Sequence, residues 1–417
     1  MKNSHPFIRT TLSLTLLSGM TLLHAQEAEP PKGNLPFLEA LSNGTPWAQI
    51  RLRYETADQE GKENAIAETG RIRLGYETES WFNLKGGMEF EASRAVDVDS
   101  YNAAGVTGNP DKSVIADPPT TEVNQAYLTY TYEDNSLQVG RQRLVIGNVR
   151  FVGDVGWRQN NQTFDAATFR STALNDVSFL YSYINQVNRI FGSEAAPERS
   201  NPESDSHAVY ITYGGLENID LGAYTYLLDI EGAAEVATNS YGAFASGKHA
   251  LTDASTWGWR LEGAYQESAS SNPEDYDVMY YHLTLNSGCE FADVVLGFES
   301  LGSDTATSGE NRSFSTPLAT LHKFNGWADV FLTTPPEGLE DFYIALVGKL
   351  PKEVIAKAIY HDFSSETGSM SYGDEIDLWL EKDFPALGKV ILSYANYSAN
   401  EFGVDTERFS VELNVAF

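Results

Sequence analysis

Cysteine is nearly missing from this sequence: Cys289 is the one example in 417 residues. A lone thiol excludes an intramolecular disulfide framework and any cysteine-rich metal site. Basic residues are also scarce, 28 Lys and Arg against 58 Asp and Glu, which leaves a formal charge of -30. So acidic a chain is repelled by a phosphate backbone, and nucleic acid is not expected among its partners. Beyond the first 25 residues no apolar run approaches the roughly 18 residues that a spanning helix requires, so a helical membrane protein is excluded.

Aromatic side chains and glycine are plentiful: 22 Tyr, 21 Phe, 7 Trp and 34 Gly, with 42% of residues hydrophobic. That composition can bury a large core and argues against long disorder. At the N-terminus Lys2 and Arg9 precede an apolar stretch from Leu12 to Leu23, and His24-Ala25 stands just before an acidic segment. This is the pattern of a secretory signal peptide, residues 1–25, cleaved after Ala25. Residues 26–45, with Pro30, Pro31 and Pro36, read as a flexible periplasmic lead-in.

From Trp47 onward the dominant period is two. Ile50, Leu52 and Tyr54 alternate with Arg51 and Arg53, and Ile72, Leu74 and Tyr76 with Arg71 and Arg73; such alternation makes strands with one apolar and one polar face. Eighteen candidate strands fill 46–417, from 47–55 to 407–417, and their links sort into two lengths. Ser80-Trp81, Asp134-Asn135 and Pro385-Ala386 are short, while 95–120, 143–162, 188–204 and 302–339 are long; 249–255 is the one loose link on the short side. A soluble sandwich has strands of about five or six residues and no reason for two classes of connection. The pattern predicts an all-β fold: a transmembrane antiparallel β-barrel of 18 strands, with short periplasmic turns and long extracellular loops. It belongs in the outer membrane of a Gram-negative-type bacterium, in contact with outer-membrane lipid. The alternating Phe409, Val411, Leu413 and Val415 before terminal Phe417 resemble the final strand read by the outer-membrane assembly machinery.

If the apolar face meets lipid, the other face lines the lumen. Ile50, Leu52, Ile72, Leu74, Trp257, Trp259, Val411 and Leu413 are then lipid-facing, and Arg51, Arg53, Arg71 and Arg73 point inward. Lys85, Arg141, Arg170, Arg260, Lys357 and Arg408 are expected to line the pore with them. Such cations attract anionic solutes, or else pair with carboxylates such as Glu77, Glu89, Glu91, Glu262, Asp377, Glu381 or Glu412 and brace the wall. For the first two strands the pore role is favoured, because few acids lie nearby in sequence.

Two loops carry further candidates. Gly140-Arg141-Gln142-Arg143 runs into a loop with Arg150, Trp157 and Arg158, a set of donors and one aromatic plane suited to sugar hydroxyls and carboxylates. The late loop holds His322-Lys323-Phe324-Asn325-Gly326-Trp327-Ala328-Asp329. Aromatics of this density would be sticky in water, so the segment is expected to pack against the wall or another loop and narrow the pore; His322, Lys323, Trp327 and Asp329 are its candidate gating residues. The ending Val139-Gly140-Arg141-Gln142, the strand start Phe164-Asp165 and the His322–Asp329 segment resemble the alginate-export family of outer-membrane porins. That resemblance implies an 18-stranded barrel with a cationic lumen that passes acidic polysaccharide.

An enzyme is not expected. His282, Thr284 and Asn286 share one face while Ser287 falls in a turn, so no Ser-His-acid arrangement forms. The acidic stretches around Asp97 and Glu274 match no defined metal-ligand spacing, and neither metal nor cofactor is expected. The reading is a channel for anionic or hydroxyl-rich solutes, with acidic or neutral saccharides or small anions as partners. The alternative is a loop-plugged barrel with an adhesion or structural role.

Overall fold

Alternating side chains build strands only when neighbours satisfy every backbone group, and in lipid that requires a sheet without edges. The computed structural model describes residues 36–252, 255–304 and 311–417, and the expected signal peptide lies outside them. Its strands are β1 (Thr45–Gln59), β2 (Ala65–Glu77), β3 (Leu84–Ala95), β4 (Thr120–Tyr132), β5 (Asn135–Gln142), β6 (Thr163–Ser171), β7 (Val177–Asn188), β8 (Glu203–Leu216) and β9 (Ile219–Leu228). They continue as β10 (Thr238–Thr252), β11 (Ser255–Ser268), β12 (Asp277–Cys289), β13 (Ala292–Leu301), β14 (Leu339–Leu350), β15 (Val354–Ser364), β16 (Ser371–Phe384), β17 (Gly388–Ala399) and β18 (Thr406–Ala416). Each pairs antiparallel with its sequence neighbours, and β18 closes on β1 with Leu52 opposite Leu413 and Arg53 opposite Glu412.

The barrel is inside out compared with a soluble core. Leu52 and Leu74 are 52% and 51% exposed, whereas Arg53, Arg71 and Arg73 are buried. Apolar residues face outward for lipid to cover, and charged residues face a lumen that the protein itself fills in part. Trp257, Trp259 and Val411 share the outward side of their strands and are half-buried.

Three local expectations change. The loose link 249–255 is mostly strand, since β10 runs to Thr252 and β11 begins at Ser255. Ser287 lies within β12 and not in a turn. The lead-in is not wholly flexible: a short helix, α1 (Phe37–Ser42), precedes β1.

The long connections all leave one end of the barrel, opposite the termini. Residues 143–162 and 311–338 fold back between the walls and touch each other, with Gly153 N donating to Leu318 O (2.8 Å) and Thr320 N to Val149 O (3.1 Å). Their apolar side chains, including Phe151, Val152, Phe314, Leu318 and Phe331, join inward Tyr226, Tyr280 and Phe363 in one buried cluster. This packing answers the need to hide the aromatics of the late loop, and it sets the geometry of what remains open.

Candidate functional site

The segment His322–Asp329 is held residue by residue. His322 stacks on Trp157 at 4.0 Å, and its Nδ1 lies 2.7 Å from Asp329 Oδ1. Lys323 Nζ donates to Asn148 O (3.0 Å), and Phe324 lies 4.8 Å beneath the Arg150 guanidinium. Asn325 Nδ2 donates to Glu299 (2.7 Å) and Asp341 (3.2 Å), while Arg150 reaches both Asn325 Oδ1 (3.1 Å) and Glu299 (3.0 Å). Gly326 has φ of 86°, and a Cβ there would lie 2.3 Å from Glu375 Oε2, so both conformation and space call for glycine. Ala328 N donates to Glu375 Oε1 (2.7 Å), and Ala328 O accepts from Arg408 Nε (2.8 Å). A segment with this many wall contacts is part of the lumen, not a free extracellular arm.

The arginines of β1 and β2 clasp the other loop. Arg51 Nη1 donates to the carbonyls of Gly156 (3.1 Å), Trp157 (3.3 Å) and Arg158 (3.0 Å), and its Nε lies 3.3 Å from Glu412. Arg53 bonds Glu412 and the Trp157 carbonyl, lies 3.4 Å from Asp117, and sits 4.3 Å over the Trp157 ring. Arg73 pairs with Glu91, and Arg71 donates to Gln159 O (3.2 Å). Loop residue Arg158 completes the network through Glu55 (3.2 Å) and Asp329 (2.8 Å), and Arg408 also reaches Glu55 (3.3 Å). Burial works against the Arg158 cation, yet Glu55, Asp117 and Asp329 hold its pKa above the ordinary value. Burial likewise opposes the Asp329 carboxylate, but His322, Arg158 and Arg408 keep it well below the usual carboxylate range.

The expectation that few acids stand near these arginines is therefore corrected. Glu412 is a barrel neighbour from the far end of the chain, and Glu55 and Asp117 were not among the partners anticipated. Only Arg71 of the four lacks a carboxylate within ion-pair reach among the described residues, and its Nε has no hydrogen-bond partner.

A second group of cations lies beyond Trp157, on the late loop and on β15, four strands from β1. Lys357 points inward on β15 with Nζ 4.8 Å over the ring of Trp379 on β16. Trp379 in turn lies 6.5 Å from Trp157 and 5.7 Å from Trp327, so three indoles gather beneath the two loops. Among the described residues neither Lys323 nor Lys357 has a carboxylate within ion-pair reach, and the buried indole nitrogens of Trp157 and Trp379 have no acceptor. Burial, with like charge from Arg260 and Lys357, lowers the Lys323 pKa to about 8. Ammonium groups next to aromatic planes can receive a carboxylate or hydroxyl oxygen on one side and a ring on the other.

The remaining candidates scatter. Lys85 pairs with Glu77 (3.3 Å) near the periplasmic end, and Arg260 with Glu262 (2.7 Å) while covering the Phe244 ring at 3.8 Å. Arg170 faces inward 3.5 Å from Gln138, and Arg143 lies 3.7 Å from Asp154 in its loop. Arg141 does not line the pore. Its cross-strand partners Ala126 and Asp165 place it on the outward face that also carries Leu137 and Val139, where it forms a two-pronged pair with Asp165 (2.7 and 3.0 Å). Near the rim, where a lipid-side arginine costs about 0–1 kcal/mol, that placement is tolerated. Sequence reasoning missed Trp379, although a tryptophan on the polar parity of a strand, between Asp377 and Glu381, was the available signal.

Comparison with known proteins agrees with this architecture. The family model described as alginate export matches residues 47–289. No curated protein matches. Among solved structures, Acinetobacter baumannii OccAB2 superposes with a TM-score of 0.68 at 14% identity, over 91% of this chain and 99% of that one. Acinetobacter baumannii OccAB4 gives 0.70 at 11% identity, over 93% and 100%. Pseudomonas aeruginosa OpdK with vanillate gives 0.68 at 13% identity, over 90% and 100%. At these identities the likeness is one of fold.

Proposed function

We propose, from the premise that the chain belongs to the alginate export family, that this outer-membrane barrel passes small anionic or hydroxyl-rich solutes, acidic saccharides foremost, through the gap beside its two inward loops. The observation that carries the reading is a pair of lysines without an ion-pair partner among the described residues, Lys323 on the loop beside Asn148 and Lys357 on the wall over Trp379. Charge at a narrow section between low-dielectric walls governs which ions enter, whatever the net charge of distant loops. A carboxylate would meet the ammonium groups, and a sugar or aromatic ring would lie along the indoles. The barrel would stand in the outer membrane of a Gram-negative-type bacterium after removal of residues 1–25. The same chemistry serves uptake and export.

The apolar cluster shared by the two loops favours a second reading, a plugged barrel with an adhesive or structural role. Planar-bilayer recording of the refolded mature protein separates them. A channel gives discrete, anion-selective conductance that glucuronate or vanillate blocks in a concentration-dependent way. Absence of conductance in a barrel shown to be folded by its heat-dependent gel mobility would favour the plug.

A further inference from the structure

The helix α1 has no part in the lumen, and its position is fixed by Tyr76. On β2 the side chains of Ile72 and Leu74 face outward, and Tyr76 continues that parity, opposite the exposed Met88 of β3. The Tyr76 hydroxyl donates to Leu41 O and accepts from Gly44 N (2.9 Å), and Glu79 N donates to Ala40 O (3.0 Å). A helix bonded to an outward tyrosine at the periplasmic end of the wall lies outside the barrel, on the side that lipid covers.

At 100° per residue, Ala40 faces the protein, Phe37, Leu41 and Leu38 form one adjoining arc, and Ser42 and Glu39 form the opposite one. Phe37 is 52% and Leu38 76% exposed. The arc is prolonged by the β2–β3 turn: Phe37 packs edge-on against Trp81 at 5.3 Å, Trp81 against Phe82 at 5.2 Å, and Phe82 is 57% exposed. Exposed aromatic and aliphatic residues gathered in this way are a liability in water, but they stand at the end of the wall, whose lipid-facing band carries exposed Leu74 and Met88. Aromatic rings at the ends of that band are the usual residents of the membrane interface.

We propose that α1 is an interfacial anchor: a short amphipathic helix lying in the plane of the inner leaflet of the outer membrane, with Phe37, Leu38, Trp81 and Phe82 seated at the boundary of headgroups and acyl chains and Glu39 facing the periplasm. An in-plane helix needs a polar face and an apolar one, and both are present. The bonds of Leu41 and Gly44 to Tyr76 and of Ala40 to Glu79 fix where the chain enters β1.

The test uses the full mature chain with Cys289→Ser, refolded into liposomes, carrying a single environment-sensitive fluorophore at Leu38→Cys or, in a separate protein, at Glu39→Cys. Heat-dependent gel mobility confirms that each labelled barrel is folded, and Leu41→Cys stands in if Leu38→Cys is not. The label at 38 should be blue-shifted and quenched by lipids bearing a nitroxide near the headgroup, and little affected by aqueous iodide; the label at 39 should behave the opposite way. Equal iodide quenching at both positions would overturn the proposal. Protection of position 38 from both quenchers would overturn it too, by showing that protein and not lipid covers the arc.

Discussion

Two neighbouring groups of inward residues carry the same sign of charge and use it differently. On β1 and β2, Arg51, Arg53 and Arg73 are spent on Glu412, Asp117, Glu91 and the carbonyls of the 143–162 loop. On the other side of the Trp157 and Trp379 rings, Lys323 and Lys357 have a carbonyl and an indole face for company and, among the described residues, no carboxylate within ion-pair reach. A buried guanidinium ringed by acids holds a structure together, and removing it strands the acids. A lysine against an aromatic ring keeps most of its field for whatever passes. Counting inward cations therefore does not locate the selective surface; their partners do.

Breaking the braced side should produce the largest effect. Arg158→Ala takes one cation from buried Glu55 and Asp329, which keep Arg408 and His322, and loss of one member of such a network costs up to about 3–5 kcal/mol. The expected result is a lower unfolding temperature together with larger and noisier single-channel conductance, since Arg158 ties both loops to β1. Next in size is a test of the inside-outside assignment on which the contrast rests. Leu52→Arg puts a charge on the lipid face at a cost of about 2–4 kcal/mol near the midplane, and assembly yield in liposomes should fall. In a Cys289-free background, a cysteine at Leu52 should resist a water-soluble maleimide more strongly than one at Arg51.

On the open side the effects should be on transport and not on folding. Trp379→Ala removes the ring under Lys357, a contact of about 1 kcal/mol, so block by glucuronate should weaken roughly fivefold with little change in unfolding. The smallest effect is a titration. Lys323 is a cation below about 8 and neutral above it, so anion selectivity should fall as pH rises through about 8, and Lys323→Gln should abolish that step. The same lowered pKa means that the folded protein binds fewer protons here than the unfolded chain does. Stability at this site should accordingly rise, not fall, as pH climbs from about 8 toward the ordinary lysine value.

Much of the barrel could be read from the sequence because strand parity is local. The two-residue period placed all 18 strands within a few residues, and it put Arg53 inside and Leu52 outside. The same rule, applied strictly from Leu137 and Val139, puts Arg141 outside, so that error lay in setting parity aside. What could not be read was pairing at long range. Arg53 meets Glu412 across the barrel closure, 359 positions away, and no pattern within either strand reveals it. Nor does sequence show that Glu299, Asp341 and Glu375 wait for Asn325 and Ala328. For that reason, excising residues 322–334 is not a clean way to widen the pore: it would take the Asn325 donor from buried Glu299 and Asp341 and the Ala328 donor from buried Glu375.

The claim that unpaired lysines and not paired arginines set selectivity is tested most directly by reversal potentials in a salt gradient, measured on two double variants side by side. Lys323→Gln with Lys357→Gln should reduce the anion-to-cation permeability ratio more than Arg53→Gln with Arg73→Gln does, in barrels of each kind verified as folded. A larger loss in the arginine variant, with the lysine variant unchanged, would contradict the account.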